Sequence, residues 1–94
     1  MAERMNVRIR GLVQGVFFRE TVRRIASRYG VHGFVRNIGS DVVEIDAEGE
    51  PAVVKAFIDD VLRNPPRHAR IDDVESAALS PAGAHGFDIA PSSD

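Results

Sequence analysis

The hydrophobic positions of the chain change period several times, and each change marks an element. Val7 and Ile9 alternate with Arg8 and Arg10, which predicts a half-buried strand over Asn6–Arg10. Gly11 to Val16 follows as a loop with two glycines. From Phe18 the period becomes helical: Phe18, Val22, Ile25, Ala26 and Tyr29 share one face, and Arg19, Glu20, Arg23, Arg24 and Arg28 take the other. Gly30 supplies a stop of the left-handed type. Val31–Asn37 and Asp41–Glu48 read as two strands around the turn Ile38-Gly39-Ser40. In the second, Val43, Ile45 and Ala47 alternate with Glu44, Asp46 and Glu48, which predicts a hairpin whose acidic face is solvated.

Pro51 is well placed for the first turn of a second helix, with Val54, Phe57, Ile58, Val61 and Leu62 as its apolar stripe. Asn64-Pro65-Pro66 ends it, because proline cannot continue the hydrogen-bond ladder. A weaker strand is expected over Ile71–Leu79, a loop at Pro81–Ala84 and a short final strand at Gly86–Ala90. Pro91–Asp94 is expected to fray. The order is β-α-β-β-α-β with a short extra strand. Two amphipathic helices on one face of an antiparallel sheet of four to five strands is its economical packing, an α+β architecture. Ninety-four residues without linker or repeat predict a single domain over 1–94.

Composition narrows the chemistry. With no cysteine, disulfides, thiolate nucleophiles and cysteine-ligated metals are excluded. No apolar run is long enough to cross a membrane, and Met1-Ala2-Glu3-Arg4 does not open a signal peptide, so a cytoplasmic chain without a membrane partner is expected. His32, His68 and His85 lack ligand spacing, and neither a metal site nor a cofactor is expected. Residues 1–36 hold eight arginines against two glutamates, and residues 37–94 hold four basic against twelve acidic side chains. Such asymmetry either focuses an anion on the basic region or lets opposite charges face each other in the fold. The first strand offers Arg8 and Arg10 but no aromatic, which argues against nucleic acid as a partner. The carboxylates of Asp59 and Asp60 read as solvated helix surface.

The segment Gln14-Gly15-Val16-Phe17-Phe18-Arg19 leads from a strand into a helix N-terminus, where unpaired N–H groups and the helix dipole favour an anion. Arg19 stands at the helix end where a cation is disfavoured, so it is either a ligand for that anion, with Gly15 curling the backbone around it, or a side chain that points into solvent or pairs with a carboxylate while Gly15 serves only the turn. Asn37, at a strand end, is either an ordinary turn asparagine or part of the same site. In a split β-α-β unit the first and third strands are neighbours, which places Arg19 and Asn37 to converge at one edge of the sheet.

Gly11-Leu12-Val13-Gln14-Gly15-Val16-Phe17-Phe18-Arg19 resembles the acylphosphatase signature Gly-x-Val-Gln-Gly-Val-x-Phe-Arg. Gly33-Phe34-Val35-Arg36-Asn37 resembles the second signature, Gly-aromatic-Val-x-Asn, and the likeness runs from about Val7 to Ile89. The resemblance implies a ferredoxin-like α/β sandwich that hydrolyses small acyl phosphates, such as acetyl or carbamoyl phosphate, without metal. It implies a phosphate-binding loop of Gln14, Gly15, Val16, Phe17 and Phe18, with Arg19 on the phosphoryl oxygens and Asn37 positioning the attacking water. Inorganic phosphate is then product and competitor, and a monomer is expected. Two departures stand out: relatives often carry Asp-Gly in the hairpin turn where this chain has Ser40-Asp41 after Gly39, and Glu20 sits beside the arginine. The C-terminal half, with Pro65 to Val74 and Gly86-Phe87-Asp88-Ile89, also resembles the acylphosphatase-like module of hydrogenase-maturation carbamoyltransferases. A non-catalytic ferredoxin-like binding domain is the reading of another class.

Overall fold

The computed structural model describes residues Met1–Asp94. Its elements are β1 (Glu3–Leu12), α1 (Phe18–Tyr29), β2 (His32–Ile38), β3 (Val42–Gly49), α2 (Pro51–Arg63), β4 (Arg70–Leu79) and β5 (Phe87–Ile89). The sheet runs β4-β1-β3-β2-β5, so the first and third strands are neighbours as the sequence implies. β1 is antiparallel to β3 with Val7 opposite Ile45 and Ile9 opposite Val43, and it is antiparallel to β4 on its other side. Those four apolar residues meet Phe18, Val22, Ile25 and Ala26 of α1 and Val54, Phe57 and Val61 of α2 in one core. Each large side chain buried there contributes about 1.5–3 kcal/mol before conformational entropy is subtracted, so the two helix stripes are what bind helices to sheet. Tyr29, Ile58 and Leu62 sit at the margin of that core, and Tyr29 Oη donates to Asp60 Oδ2 at 2.7 Å to join the helices. No helix is long and apolar enough to cross a membrane.

The structure corrects the sequence reading at four places. Gly11 and Leu12, expected in a loop, continue β1 past a bulge after Arg10. A side chain on Gly11 would overlap the Arg70 carbonyl of β4, so this close approach needs glycine. The sheet is mixed, because β5 pairs in parallel with β2, Phe87 opposite Gly33. The tail expected to fray runs on beside β2: Ser93 N donates to Asn37 O at 2.9 Å, and Gly39 N donates to Ser93 O at 2.8 Å.

The fourth correction concerns the acidic face. Glu44, Asp46 and Glu48 are 4, 4 and 7% exposed, not solvated. Arg4 meets Asp46 with two bonds of 2.8 and 3.1 Å, and Asn6 Nδ2 donates to both Asp46 and Glu44. Arg36 Nε donates to Glu44 at 2.6 Å. Glu48 accepts from the backbone N–H groups of Ala82 and Gly83, each at 2.9 Å. The long connection from β4 to β5 therefore crosses the face of the sheet opposite the helices, and β3 is covered on both sides. Alternation along β3 reports which residues share a face, not whether a distant segment will cover it.

Burial alone would raise the Glu44 carboxyl, but hydrogen bonds from Arg36 and Asn6 outweigh it and hold the group below the usual range. The Ala82 N–H is the largest influence on Glu48 and lowers it likewise, against desolvation. A carboxyl depressed in the folded state contributes stability above its unfolded pKa and loses it as pH falls through the folded pKa. Glu48→Gln is expected to lower Tm by several degrees at pH 7, with the gap to the wild type narrowing towards pH 3. Circular dichroism melts at both pH values check this; a gap that does not change with pH would contradict it.

Candidate active site

β1 gives way to Val13, which is buried, and α1 begins with Phe18, also buried. Residues 14–17 are thus suspended between two core anchors. Gly15 takes φ 74° and Phe17 φ 63°, with Val16 between them outside the positive-φ region. Alternating signs of this kind turn successive N–H groups towards one point, the geometry of an anion nest. Phe17 caps α1 without any side-chain hydrogen bond to the free helical N–H groups. The backbone N–H groups from Gly15 to Arg19 take part in none of the loop, turn or cap bonds of the chain. Five donors at the positive end of a helix dipole are left for a ligand.

Arg19 follows in the first turn and is half-buried, with none of the chain's ion pairs or side-chain hydrogen bonds ending on it. The carboxylate reading of Arg19 therefore falls. Glu20 is turned towards Arg23 and Arg24, and its hydrogen bond from Arg23 holds its carboxyl below the usual range. Its charge is compensated within the helix surface instead of opposing Arg19. The asymmetry of the sequence is likewise compensated elsewhere, with Arg4, Arg8 and Arg10 of β1 facing Asp46, Glu44 and Asp41.

Asn37 lies at the same end of the sheet. It shares a cleft of about 380 Å³ with Gln14, Gly15, Phe17, Arg19 and Ile89. Its Oδ1 is buried and accepts from no protein donor. Leaving such an oxygen unmet costs about 1–3 kcal/mol, so it is open to a hydrogen bond from a guest in the cleft. Turn asparagines ordinarily bond their own backbone, and this one does not.

The residues expected in the loop divide by what their side chains do. Gln14 Nε2 donates to Val42 O at 2.9 Å, Gly39 O at 3.2 Å and Ile38 O at 3.3 Å. Its amide is spent fastening the loop to the β2–β3 turn, so only its backbone can reach an anion. Val16 packs against the core and Phe18 lies within it, so neither side chain is available to a ligand. Phe17 projects outward. Gly39 carries the positive φ of the turn, at 59°, so the displaced glycine still serves the hairpin. Sequence reasoning missed Ile89 in the cleft and the tail bonded to Asn37, because nothing local says that the last strand lies beside β2. It also missed the stacking of His32 and His85, with ring centroids at 5.7 Å, beside Gly86, whose N–H donates to His32 Nδ1 from 54 residues along the chain.

Comparison with known proteins gives the family and the fold. The acylphosphatase family profile matches residues 5–89. An acylphosphatase of Thermococcus kodakarensis is 43% identical over 86 residues, covering 92% of this chain and 93% of its own. The crystal structure of an acylphosphatase from Bacillus subtilis superposes with a TM-score of 0.87 at 30% identity, over 96% of this chain and 99% of that one. Full-length HypF in its phosphate- and nucleotide-bound form superposes with a TM-score of 0.93 at 33% identity; the match covers all of this chain but only 12% of that much longer one. With the profile spanning nearly the whole chain, and a relative of matching length above 40% identity, this protein belongs to the acylphosphatase family, and its fold is the family's ferredoxin-like sandwich.

Proposed function

We propose that the protein hydrolyses the carboxyl–phosphate bond of small acyl phosphates, releasing a carboxylate and inorganic phosphate. The observation that carries this reading is the meeting of Arg19 and Asn37 in one cleft with a loop of uncommitted N–H groups. The phosphoryl group rests on the N–H groups from Gly15 to Arg19, and the Arg19 guanidinium takes its remaining oxygens through charge-assisted bonds. Asn37 Oδ1 accepts a hydrogen bond from a water and aims its oxygen at phosphorus. The water oxygen forms the new P–O bond, and the bond from phosphorus to the acyl oxygen breaks. The electron pair leaves with the carboxylate, while a water proton passes to a phosphoryl oxygen and the product is dihydrogen phosphate. Asparagine does not take up that proton at neutral pH, so its role is orientation.

A carboxylate is a good leaving group, and phosphoryl transfer draws most of its catalysis from positioning and charge stabilisation. Neither a Lewis acid nor a strong general acid is then required, and the cleft offers an anion N–H groups and a guanidinium, while its one carboxylate, Glu20, is paired with Arg23 and Arg24. The likeness to HypF supports a second reading, in which carbamoyl phosphate is the substrate and the chain acts as the phosphoryl-removing module of a carbamoyltransferase.

Arg19→Ala is expected to lose more than nine-tenths of the activity, at least about 1.4 kcal/mol of transition-state stabilisation. Arg19→Lys should rescue it poorly, because an ammonium lacks the planar fork that meets two oxygens. Hydrolysis rates with benzoyl phosphate, alongside circular dichroism for the fold, decide this. A retained rate above a tenth removes Arg19 from the role.

Asn37→Ala should lower kcat severely yet leave inorganic phosphate bound with nearly its wild-type constant, since a group acting on the nucleophile adds little to ground-state binding. Arg19→Ala should weaken phosphate as well. Titrating phosphate into both variants by calorimetry separates the roles, and equal loss in the two would make Asn37 a support for the loop. Activity should also survive exhaustive chelation, with phosphate as a competitive inhibitor; a rate that collapsed with chelator and returned with magnesium or zinc would defeat the metal-free mechanism.

A further inference from the structure

The cleft has an apolar side that phosphate binding does not use. Phe17 is 83% exposed and Ile89 39% exposed, and both line it. The other apolar residues at its edge, Val13 and Phe18, are buried in the core and present almost no surface to a guest. Phe17 also occupies a backbone conformation, φ 63° and ψ 26°, that glycine or asparagine holds at less cost. A phenylalanine ring placed there fills no core and makes no cap, so neither packing nor helix capping accounts for it. Phe17 contributes an N–H to the nest from the same residue that carries the ring. A phosphoryl group on the loop therefore brings its acyl substituent within reach of that ring. Large exposed apolar side chains gathered at a cleft mark contact with an apolar partner.

We propose that Phe17 and Ile89 form a wall for the acyl group, so that the site prefers acyl phosphates with an apolar, aryl-sized substituent over acetyl or carbamoyl phosphate. This rests on the acyl phosphate reading above and sets its substrate class. The wall offers no hydrogen-bond partner to a carbamoyl amide, whereas an aryl ring covers surface that is otherwise left in water. Discrimination of this kind acts by apolar area and is worth roughly tenfold in kcat/KM.

The test measures kcat/KM for benzoyl and acetyl phosphate in the wild type, Phe17→Asn, Phe17→Gly and Ile89→Ser. Asparagine and glycine both tolerate the left-handed conformation, and Ile89 lies outside the loop, so at least one variant reports without disturbing the nest. The benzoyl-to-acetyl ratio is expected to fall about tenfold in each Phe17 variant and by a smaller factor in Ile89→Ser, mainly through a higher KM for benzoyl phosphate. Phe17→Tyr, which keeps the ring, should restore the ratio. If both substrates decline together and the ratio stays within twofold, Phe17 serves the loop and not the acyl group, and the inference is overturned while hydrolysis stands. A wild type that hydrolyses neither substrate overturns the proposed function and this inference with it.

Discussion

Everything at the active end of the molecule depends on the register of β3, the central strand covered on both faces. One face carries Val43, Ile45 and Ala47 into the core, and the other carries Glu44, Asp46 and Glu48 into a layer of arginines and backbone N–H groups. A slip of one residue would exchange the two faces, setting carboxylates against Phe18 and Phe57. Buried ion pairs add little net stability, but an unpartnered buried carboxylate is costly, so the acidic face excludes wrong pairings more than it strengthens the right one. The correct register places Arg10 of β1 and Ile38 of β2 on either side of the same residue, Val42. The exit of β1 and the exit of β2 are thereby brought level, and the loop that follows one lies beside the asparagine that precedes the other.

Charge compensation in the sheet also shapes the site. The arginines of β1 are matched by carboxylates across the fold, and Glu20 is matched by its neighbours on α1. Arg19, by contrast, ends in a cleft lined by the free N–H groups of the loop. A guanidinium beside a helix N-terminus is unfavourable without an anion between them, and the two together form a strong anion receptor. The surplus of arginine in the first third of the chain is therefore mostly structural, and one member of it carries the electrostatics of the cleft.

The apolar periods of both helices and of β1 and β3 were legible because each buries one face against a single core. The signatures around Gly15 and Asn37 made the site legible as positions. Side-chain direction was not legible. Gln14 stands within the loop, yet its amide turns away to three carbonyls of the β2–β3 segment. Phe17 adopts a conformation that sequence rules reserve for glycine and asparagine. The acidic stripe read as wet because its partners come from elsewhere in the chain: Arg4 and Asn6 of β1 and Arg36 of β2 meet Asp46 and Glu44, and the connection at Ala82 and Gly83, more than thirty residues further along, meets Glu48. β4 read as weak because most of its ten residues remain exposed at the sheet edge, so its pattern lacks a buried face even though its ladder with β1 is long.

That same long connection completes the support of the site. Glu48 fastens the crossing chain, which enters β5 beside β2, and the strand continues as Ala90 N donates to Val35 O and Ser93 N to Asn37 O. Ser93 O then receives the N–H of Gly39. The segment from Asn37 to Val42 is held by Gln14 from the loop and by the C-terminal tail from β5, two tethers that enter from different parts of the chain. The hydrolysis proposed above asks a water-orienting amide to stay within a few tenths of an ångström of its working position. Asn37 sits on a strand clamped in this way, with its own Oδ1 left uncommitted. The backbone bonds that satisfy its neighbours fix its place, and its side-chain oxygen alone is left without a protein donor.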